Sequence, residues 1–299
     1  MTAPEPPRDE QGLLERTLGE MRPRLHRYCA RMTGSVIDGE DVVQDAIVKA
    51  LDAYPTAGPV ADLAAWLFRI THNAALDFLR RRVRIDATRS NEDLDTMIDA
   101  ANSIEARQIA ATSLATFMRL TVPQRSSVIL MDVLGYSLDE IGRMTGLTIP
   151  AIKAALHRGR ARLREIAVEP DAVEHPSLPE PDRSLLASYV DGFNARDFDA
   201  IRDMLAEEVR LELVGRTHMA GKTEIGGRYF HNYGLAHDWH LVPAIVDGRP
   251  ALVVRDPADP AGTPTYFVLL EWLDGRVTAI RDFRHARYVL DGAAVCTFP

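Results

Sequence analysis

Cysteine is nearly absent: Cys29 and Cys296 are the only two in 299 residues. Two thiols at opposite ends of a chain supply neither a disulfide framework nor a zinc site, which needs about four ligands at close spacing. Both are expected to be buried or incidental. No apolar run approaches the roughly 20 residues that a membrane span requires. The opening MTAPEPPRDEQG lacks the basic and apolar regions of a signal peptide. Together these absences lead us to expect a cytoplasmic protein with no membrane partner. No internal repeat, low-complexity segment or metal-ligand spacing stands out, and no metal or cofactor is expected. An overall excess of positive charge is also missing, because the net charge is −8.

That charge is unevenly spread. Residues 1–169 carry 22 Lys+Arg against 23 Asp+Glu, and residues 170–299 carry 13 against 20. Local patches matter more for nucleic-acid binding than the total. From Gly142 to Arg164 there are six basic residues and no acidic one, and Arg80, Arg81, Arg82 and Arg84 form a second cluster. Hydrophobic residues make up 46% of the chain, enough for proper cores, and the length points to more than one domain.

Helical periodicity marks residues 23–84. Leu25, Tyr28, Cys29 and Met32 follow it, as do Val43, Ala46, Ile47, Ala50 and Leu51. A third helix, Ala61–Arg84, repeats it with Leu63, Trp66, Leu67, Ile70, Ala74 and Phe78, after a break at Tyr54–Pro59. Residues 86–106 are acid-rich and read as a linker, with room for a short helix. Further helices follow in 107–165: Pro123 starts one, Ser137 with Glu140 predicts a capping box, and Gly146 breaks the pattern before a helix from about Ile149. Prolines 170, 176, 179 and 181 predict a second linker over 167–181. Beyond it, helices near Asp182–Ala195 and Phe198–Leu205 precede β-rich runs at Val209–Val214, Trp239–Val246, Ala251–Arg255, Thr265–Leu273 and Val277–Phe283. That order predicts an α+β domain with a mostly antiparallel sheet.

Two constellations carry chemistry. In SLDEIGRMTGLTIPAIKAALHRGRARLR, two short helices meet at Gly146. The second should display Lys153, His157, Arg158 and Arg160 outward, as the recognition helix of a helix-turn-helix does in a major groove. The competing explanation is a basic, solvated hairpin. The second constellation lies on the third helix, where Asn73, Asp77, Arg80 and Arg84 share one stripe with Trp66 at its upper end. Amide, guanidinium and indole groups in a row suit single-stranded DNA. A plain amphipathic helix with a solvated face gives the same row.

The segments GEDVVQDAIVKAL and AWLFRITHNAALDFLRRR resemble region two of extracytoplasmic-function sigma factors, of the sigma-70 family. Asp38, Glu40, Asp41, Gln44 and Asp45 fill that family's acidic pattern. Ala65, Trp66, Leu67, Ile70, Asn73, Asp77 and Arg80 fill its second pattern, with His72 where arginine is common. The helix-turn-helix resembles region four. The resemblance implies a region two domain over 20–85 and a region four domain over 107–166. It implies that the helix with Asp38, Asp41, Gln44 and Asp45 binds the β′ clamp helices of core RNA polymerase. Trp66, Asn73, Asp77, Arg80, Arg81 and Arg84 would hold the −10 strand of promoter DNA, and Lys153, His157, Arg158 and Arg160 the −35 element. Such a protein needs no ATP and no catalytic residue.

Residues 182–290 resemble a SnoaL-like, or NTF2-like, α+β domain. The evidence is a pattern of elements rather than a sharp motif. As an extension of a sigma factor it would be regulatory. The alternative is a ligand sensor or an isomerase- or cyclase-type enzyme, using an acid or histidine such as Asp191, His218, Asp238, His240 or Asp282. Trp239, Tyr266 and Phe267 are expected in the core.

Overall fold

The computed structural model describes residues 8–86, 113–168 and 178–298. The expected linker over 86–106 and its short helix lie almost wholly outside those residues. The chain divides into two compact units, Met1–Asp171 and Ala172–Pro299.

The first unit is all helical. Helix α1 runs Arg8–Thr33, starting well before the expected residue 23 and continuing through Pro23. The earlier start follows from Leu14 and Leu18, which are buried against Ala50 and Leu67. Ser35 caps α2, Val36–Ala53, its hydroxyl accepting from the amides of Ile37 and Asp38 at 3.2 and 3.3 Å. These two helices touch backbone to backbone: a Cβ on Gly39 would fall 2.6 Å from the Ala30 nitrogen. A single 3-10 turn at Tyr54–Thr56 follows. Helix α3, Leu63–Asp86, begins where the Asp62 carboxylate accepts from the Ala65 amide at 2.9 Å.

After the undescribed stretch come a short helix, α4, Leu114–Phe117, and α5, Val122–Val128, which carries on as a wider π turn over Ile129–Val133. The expected capping box is present. Ser137 accepts from the Glu140 amide, and the Glu140 carboxylate accepts from the Ser137 amide at 2.8 Å. That cap starts α6, Leu138–Thr145, which ends at Gly146 with φ of 76°. Thr148 caps α7, Ile149–Ile166.

The two helical segments, 8–86 and 113–168, share one core. Tyr28, Phe68, Phe117, Leu120, Val128, Leu134, Tyr136, Ile141, Ile152 and Leu156 belong to a single buried cluster. One expected core position differs: Leu51 is exposed, as is Val48 one turn earlier.

The second unit is α+β. Helices α8, Glu180–Asn194, and α9, Phe198–Asp203, lead into a seven-stranded sheet. Its strands are β1 Leu205–Leu213, β2 Thr217–Ala220, β3 His240–Val246, β4 Arg249–Arg255, β5 Pro264–Leu273, β6 Arg276–Asp282 and β7 Val295–Thr297. The order is β2-β1-β6-β5-β4-β3-β7. Neighbours pair antiparallel except β1 with β6, which are parallel. The α+β architecture expected for a SnoaL-like domain is present. Its bounds are wider than 182–290, since Leu178 is buried in the core, α8 begins at Glu180, and β7 pairs with β3. Between β2 and β3 lies a helical stretch absent from the sequence reading: α10, Lys222–Ile225, a π turn, and α11, His231–Leu235.

The closeness of α1 and α2 gives a stability test. Gly39→Ala should cost roughly 1–3 kcal/mol, because the clash is with backbone that cannot swing aside. Gly19→Ala, on the same helical pair with nothing within 4 Å, should be neutral or stabilising by up to about 1 kcal/mol. Thermal melts of both variants check this, and a Gly39 variant as stable as the parent would refute the contact.

Candidate polymerase and nucleic-acid surfaces

The acidic helix α2 and the basic end of α3 lie side by side. Asp38 pairs with Arg82 at 3.4 Å, Asp45 with Arg81 at 3.6 Å, and Lys49 with Asp77 at 3.7 Å. Asp45, Val48, Lys49, Asp77, Arg81 and Arg84 line a shallow groove between the helices. Asp41 and Gln44 are half-buried, and Gln44 accepts from Arg22 at 2.8 Å. The outer face of α2 is therefore mixed, with Asp45, Val48, Lys49 and Leu51 exposed. The two apolar members were missed because periodicity assigned Leu51 to the core. Unpartnered valine and leucine beside carboxylates on a surface helix are the signal that could have found them.

On α3 the predicted stripe holds together. Asn73, Arg80, Arg81 and Arg84 are exposed, and Asp77 pairs with Arg80 at 3.1 Å. Trp66 is half-buried rather than free, packed edge-on against Tyr54 with centroids 5.9 Å apart. His72 faces inward. It bonds the Tyr28 hydroxyl at 2.6 Å, and burial pushes its pKa down to about 4, so the ring is neutral. The ring therefore presents no positive charge at this position.

On α7, Lys153 is exposed while His157 and Arg158 are half-buried. Arg160 departs from the outward display expected of it. Its guanidinium forms a two-pronged pair with Asp132, 2.9 Å from Nε and 2.5 Å from Nη2, and Asp132 is 4% exposed. It fastens α7 to the π turn and is a structural residue here. Gly159 serves the same packing: a Cβ there would meet Val128 at 2.8 Å.

In the second unit, Asp191, His218, Asp238 and His240 are exposed, and Asp238 pairs with Arg284 at 3.0 Å. Only Asp282 is enclosed. Its carboxylate accepts from Tyr229 at 3.0 Å, from Tyr233 at 2.7 Å and from the Arg284 amide at 2.7 Å. Tyr233 also shares a hydrogen bond with Tyr266 at 3.0 Å. Burial raises the Asp282 pKa against the pull of those hydrogen bonds. Trp239, Tyr266 and Phe267 are buried, as expected. His218 lies instead in an open groove of about 570 Å³, beside Arg210, Glu212 and Arg281. Among the described residues no three ligating side chains cluster as a metal site would need, and no helix is long and apolar enough to cross a membrane.

The sequence is similar to known proteins. Residues 18–85 match the family described as Sigma-70 region 2, and residues 114–163 match Sigma-70, region 4. The RNA polymerase sigma factor CarQ of Myxococcus xanthus is 30% identical over 53% of this chain and 91% of its own length. This chain is an extracytoplasmic-function RNA polymerase sigma factor. The sigma factor SigG of Mycobacterium tuberculosis is 26% identical over 93% of this chain and 83% of its own, so that likeness continues into the C-terminal half. The crystal structure of the sigma factor SigJ of the same species aligns over 88% of this chain and 93% of its own, with 21% identity and a TM-score of 0.34.

The two kinds of basic residue on α7 separate by experiment. Lys153→Ala should leave the melting temperature unchanged and weaken promoter binding, by about 1–3 kcal/mol if it reads a base. Arg160→Ala should do the reverse, destabilising the first unit by about 2 kcal/mol because Asp132 is left without its partner. DNA-binding titrations and thermal melts on both variants decide; a normal melt for Arg160→Ala would return it to the DNA face.

Proposed function

We propose that this sigma factor guides core RNA polymerase to promoters through three surfaces of its first unit. Helix α2, with Asp38, Asp41, Gln44 and Asp45, docks on the β′ clamp helices, and Val48 and Leu51 add apolar area between the carboxylates. Helix α3 and the Tyr54–Thr56 turn hold the −10 strand. Asn73 offers an amide to a base edge, Arg80, Arg81 and Arg84 neutralise phosphates, and Trp66 with Tyr54 provides an aromatic platform. Helix α7 enters the major groove at the −35 element through Lys153, His157 and Arg158. The observation that carries the reading is the exposed Asn73–Arg80–Arg84 row on the same compact unit as a fully capped helix-turn-helix. A hairpin that was merely solvated would not need that row.

No step requires catalysis by the sigma factor. The C-terminal domain acts as a regulator, and the Asp282 cluster supports this over an enzyme. Every Asp282 bond named above is to its own domain, so the carboxylate holds strands to helices. The direction of regulation is open to test by truncation after Glu169: transcription that changes in level or salt dependence supports a regulator, and unchanged transcription favours an independent sensor or enzyme.

Asp41→Lys combined with Asp45→Lys should abolish co-purification with core polymerase while leaving the melt within about 0.5 kcal/mol of the parent, as surface changes usually do. Undiminished co-purification would remove α2 from the polymerase interface.

A further inference from the structure

The C-terminal part of the chain is acidic, with 13 Lys+Arg against 20 Asp+Glu over residues 170–299, yet some of its cations gather at one end of the sheet. Strands β1 and β6 run parallel, with Leu213 opposite Asp282 and the Val214 amide donating to the Asp282 carbonyl at 3.0 Å. The chain therefore leaves both strands at the same end. From β1 it turns over Leu213–Arg216, where the Arg216 amide donates to the Leu213 carbonyl at 2.8 Å and Gly215 has φ of 75°. From β6 it turns over Phe283–Ala286. The Ala286 amide donates to the Phe283 carbonyl at 2.9 Å, and the Asp282 carboxylate accepts from the Arg284 amide at 2.7 Å. A 3-10 turn, Arg287–Leu290, follows. These turns bring Arg216, Arg284, His285 and Arg287 together.

Their partners differ. Arg284 is committed to its own domain: its guanidinium lies 5.2 Å from the centre of the Tyr233 ring and pairs with Asp238 at 3.0 Å. Arg287 lies 5.7 Å from the centre of the Tyr266 ring, and the hydroxyls of Tyr233 and Tyr266 are bonded at 3.0 Å. Both guanidinium groups thus lie over one hydrogen-bonded pair of rings. Partial burial pushes the His285 pKa down, and the charges of Arg216, Arg284 and Arg287 add to the shift against the pull of Asp282. Arg216, His285 and Arg287 are exposed, and none of them forms an ion pair with a carboxylate among the described residues. Like charges held together in this way repel one another, and an anion relieves the repulsion.

We propose that this end of the sheet docks on the phosphate backbone of duplex DNA, so that the second unit adds phosphate contacts of its own to those of α3 and α7. That occupant rests on the promoter-binding reading of the first unit. Two observations favour it. Arg216 and His285 stand on exposed turns, which meet a long polyanion more readily than they enclose a single ion. Residues 169–177 join Val168 to Leu178, and even at full extension that connection spans no more than about 35 Å. DNA held by α7 is therefore within reach of the second unit, at high effective concentration. Guanidinium groups on phosphates position a protein without reading bases, so the added contacts are the same for every sequence.

The test measures how holoenzyme binds a promoter mapped to this sigma factor, and a duplex of unrelated sequence, across a series of salt concentrations. Arg216→Gln with Arg287→Gln should flatten the slope of log affinity against log salt by about 1.8 on both duplexes, since each phosphate contact contributes about 0.9. Arg216→Gln alone, which removes no ion pair among the described residues, should flatten it by about 0.9 and keeps the test open if the double variant melts early. In the full chain, the His285 ring signal, identified by its loss in His285→Asn, should titrate at higher pH once duplex DNA is added, because a phosphate beside the ring favours its charged form. An unchanged slope, or a His285 titration that DNA leaves in place, overturns the proposal. Weakened co-purification with core polymerase at an unchanged slope overturns it in favour of an acidic protein surface. A His285 shift produced as fully by inorganic phosphate, again at an unchanged slope, overturns it in favour of a free anion. Parent holoenzyme that binds the promoter no more tightly than the unrelated duplex strikes the reading of α3 and α7 instead, and the slope on the unrelated duplex still decides this surface.

Discussion

The first unit depends on how it satisfies backbone carbonyls at the ends of helices. The last carbonyls of a helix have no partner within it, and burying them bare costs free energy. Arg125 takes four backbone carbonyls at once, at or just past helix ends, three from its own segment and one from α1. Lysine could not replace it, since a point ammonium lacks the planar fork that reaches several carbonyls together. Because α1 and α4 end against the same guanidinium, the shared core of Tyr28, Phe68, Phe117 and Tyr136 can close around them without stranding a polar group. Arg160 with Asp132 repeats the device at smaller scale, tying the recognition helix to the π turn.

The consequence for function is a division among basic side chains that look alike in sequence. Arg125 and Arg160 are inside or half inside with their partners, whereas Lys153, Arg80, Arg81 and Arg84 reach solvent. Burial decides the division: a guanidinium held inside by carbonyls or by a buried carboxylate is not presented to phosphate, whereas one paired at the surface is. On α3 the division is softer. The pairs Asp45–Arg81 and Lys49–Asp77 are about half exposed, and such pairs are worth at most about 1 kcal/mol. They can exchange for a phosphate or a partner's charge at little cost.

Much of this was legible in the sequence, for reasons that can be named. Capping boxes and turn glycines act locally, so Ser137, Glu140 and Gly146 marked the helix-turn-helix to within a residue. Five strands of the second unit follow their β-branched and aromatic runs for the same reason, whereas the short edge strands β2 and β7 do not stand out. What failed depended on partners distant in sequence. The early start of α1 rests on Leu14 and Leu18 meeting Ala50 and Leu67. The exposure of Leu51 and the capture of Arg160 by Asp132 are likewise set by neighbours that no local window contains. Helices α10 and α11 were missed because GGRYFHNYGL has two adjacent glycines and no clean period. Their place is fixed by Tyr229 and Tyr233 reaching Asp282 across the domain.

That last contact shows how a site reading drawn from residue types alone can mislead. Aspartate and histidine in an α+β domain of this kind invite a catalytic interpretation, and five such residues were available. Four of them sit at the surface. The fifth, Asp282, has a raised pKa, the mark of many catalytic acids. Yet its hydrogen bonds come from two tyrosines and a backbone amide of its own domain, and the Arg284 guanidinium, over the Tyr233 ring, pairs with Asp238. Through those bonds the carboxylate joins β6 to the helical stretch over 222–235. The same geometry explains why the tyrosines of that stretch are buried at all: their hydroxyls need an acceptor in the core, and Asp282 is the one provided.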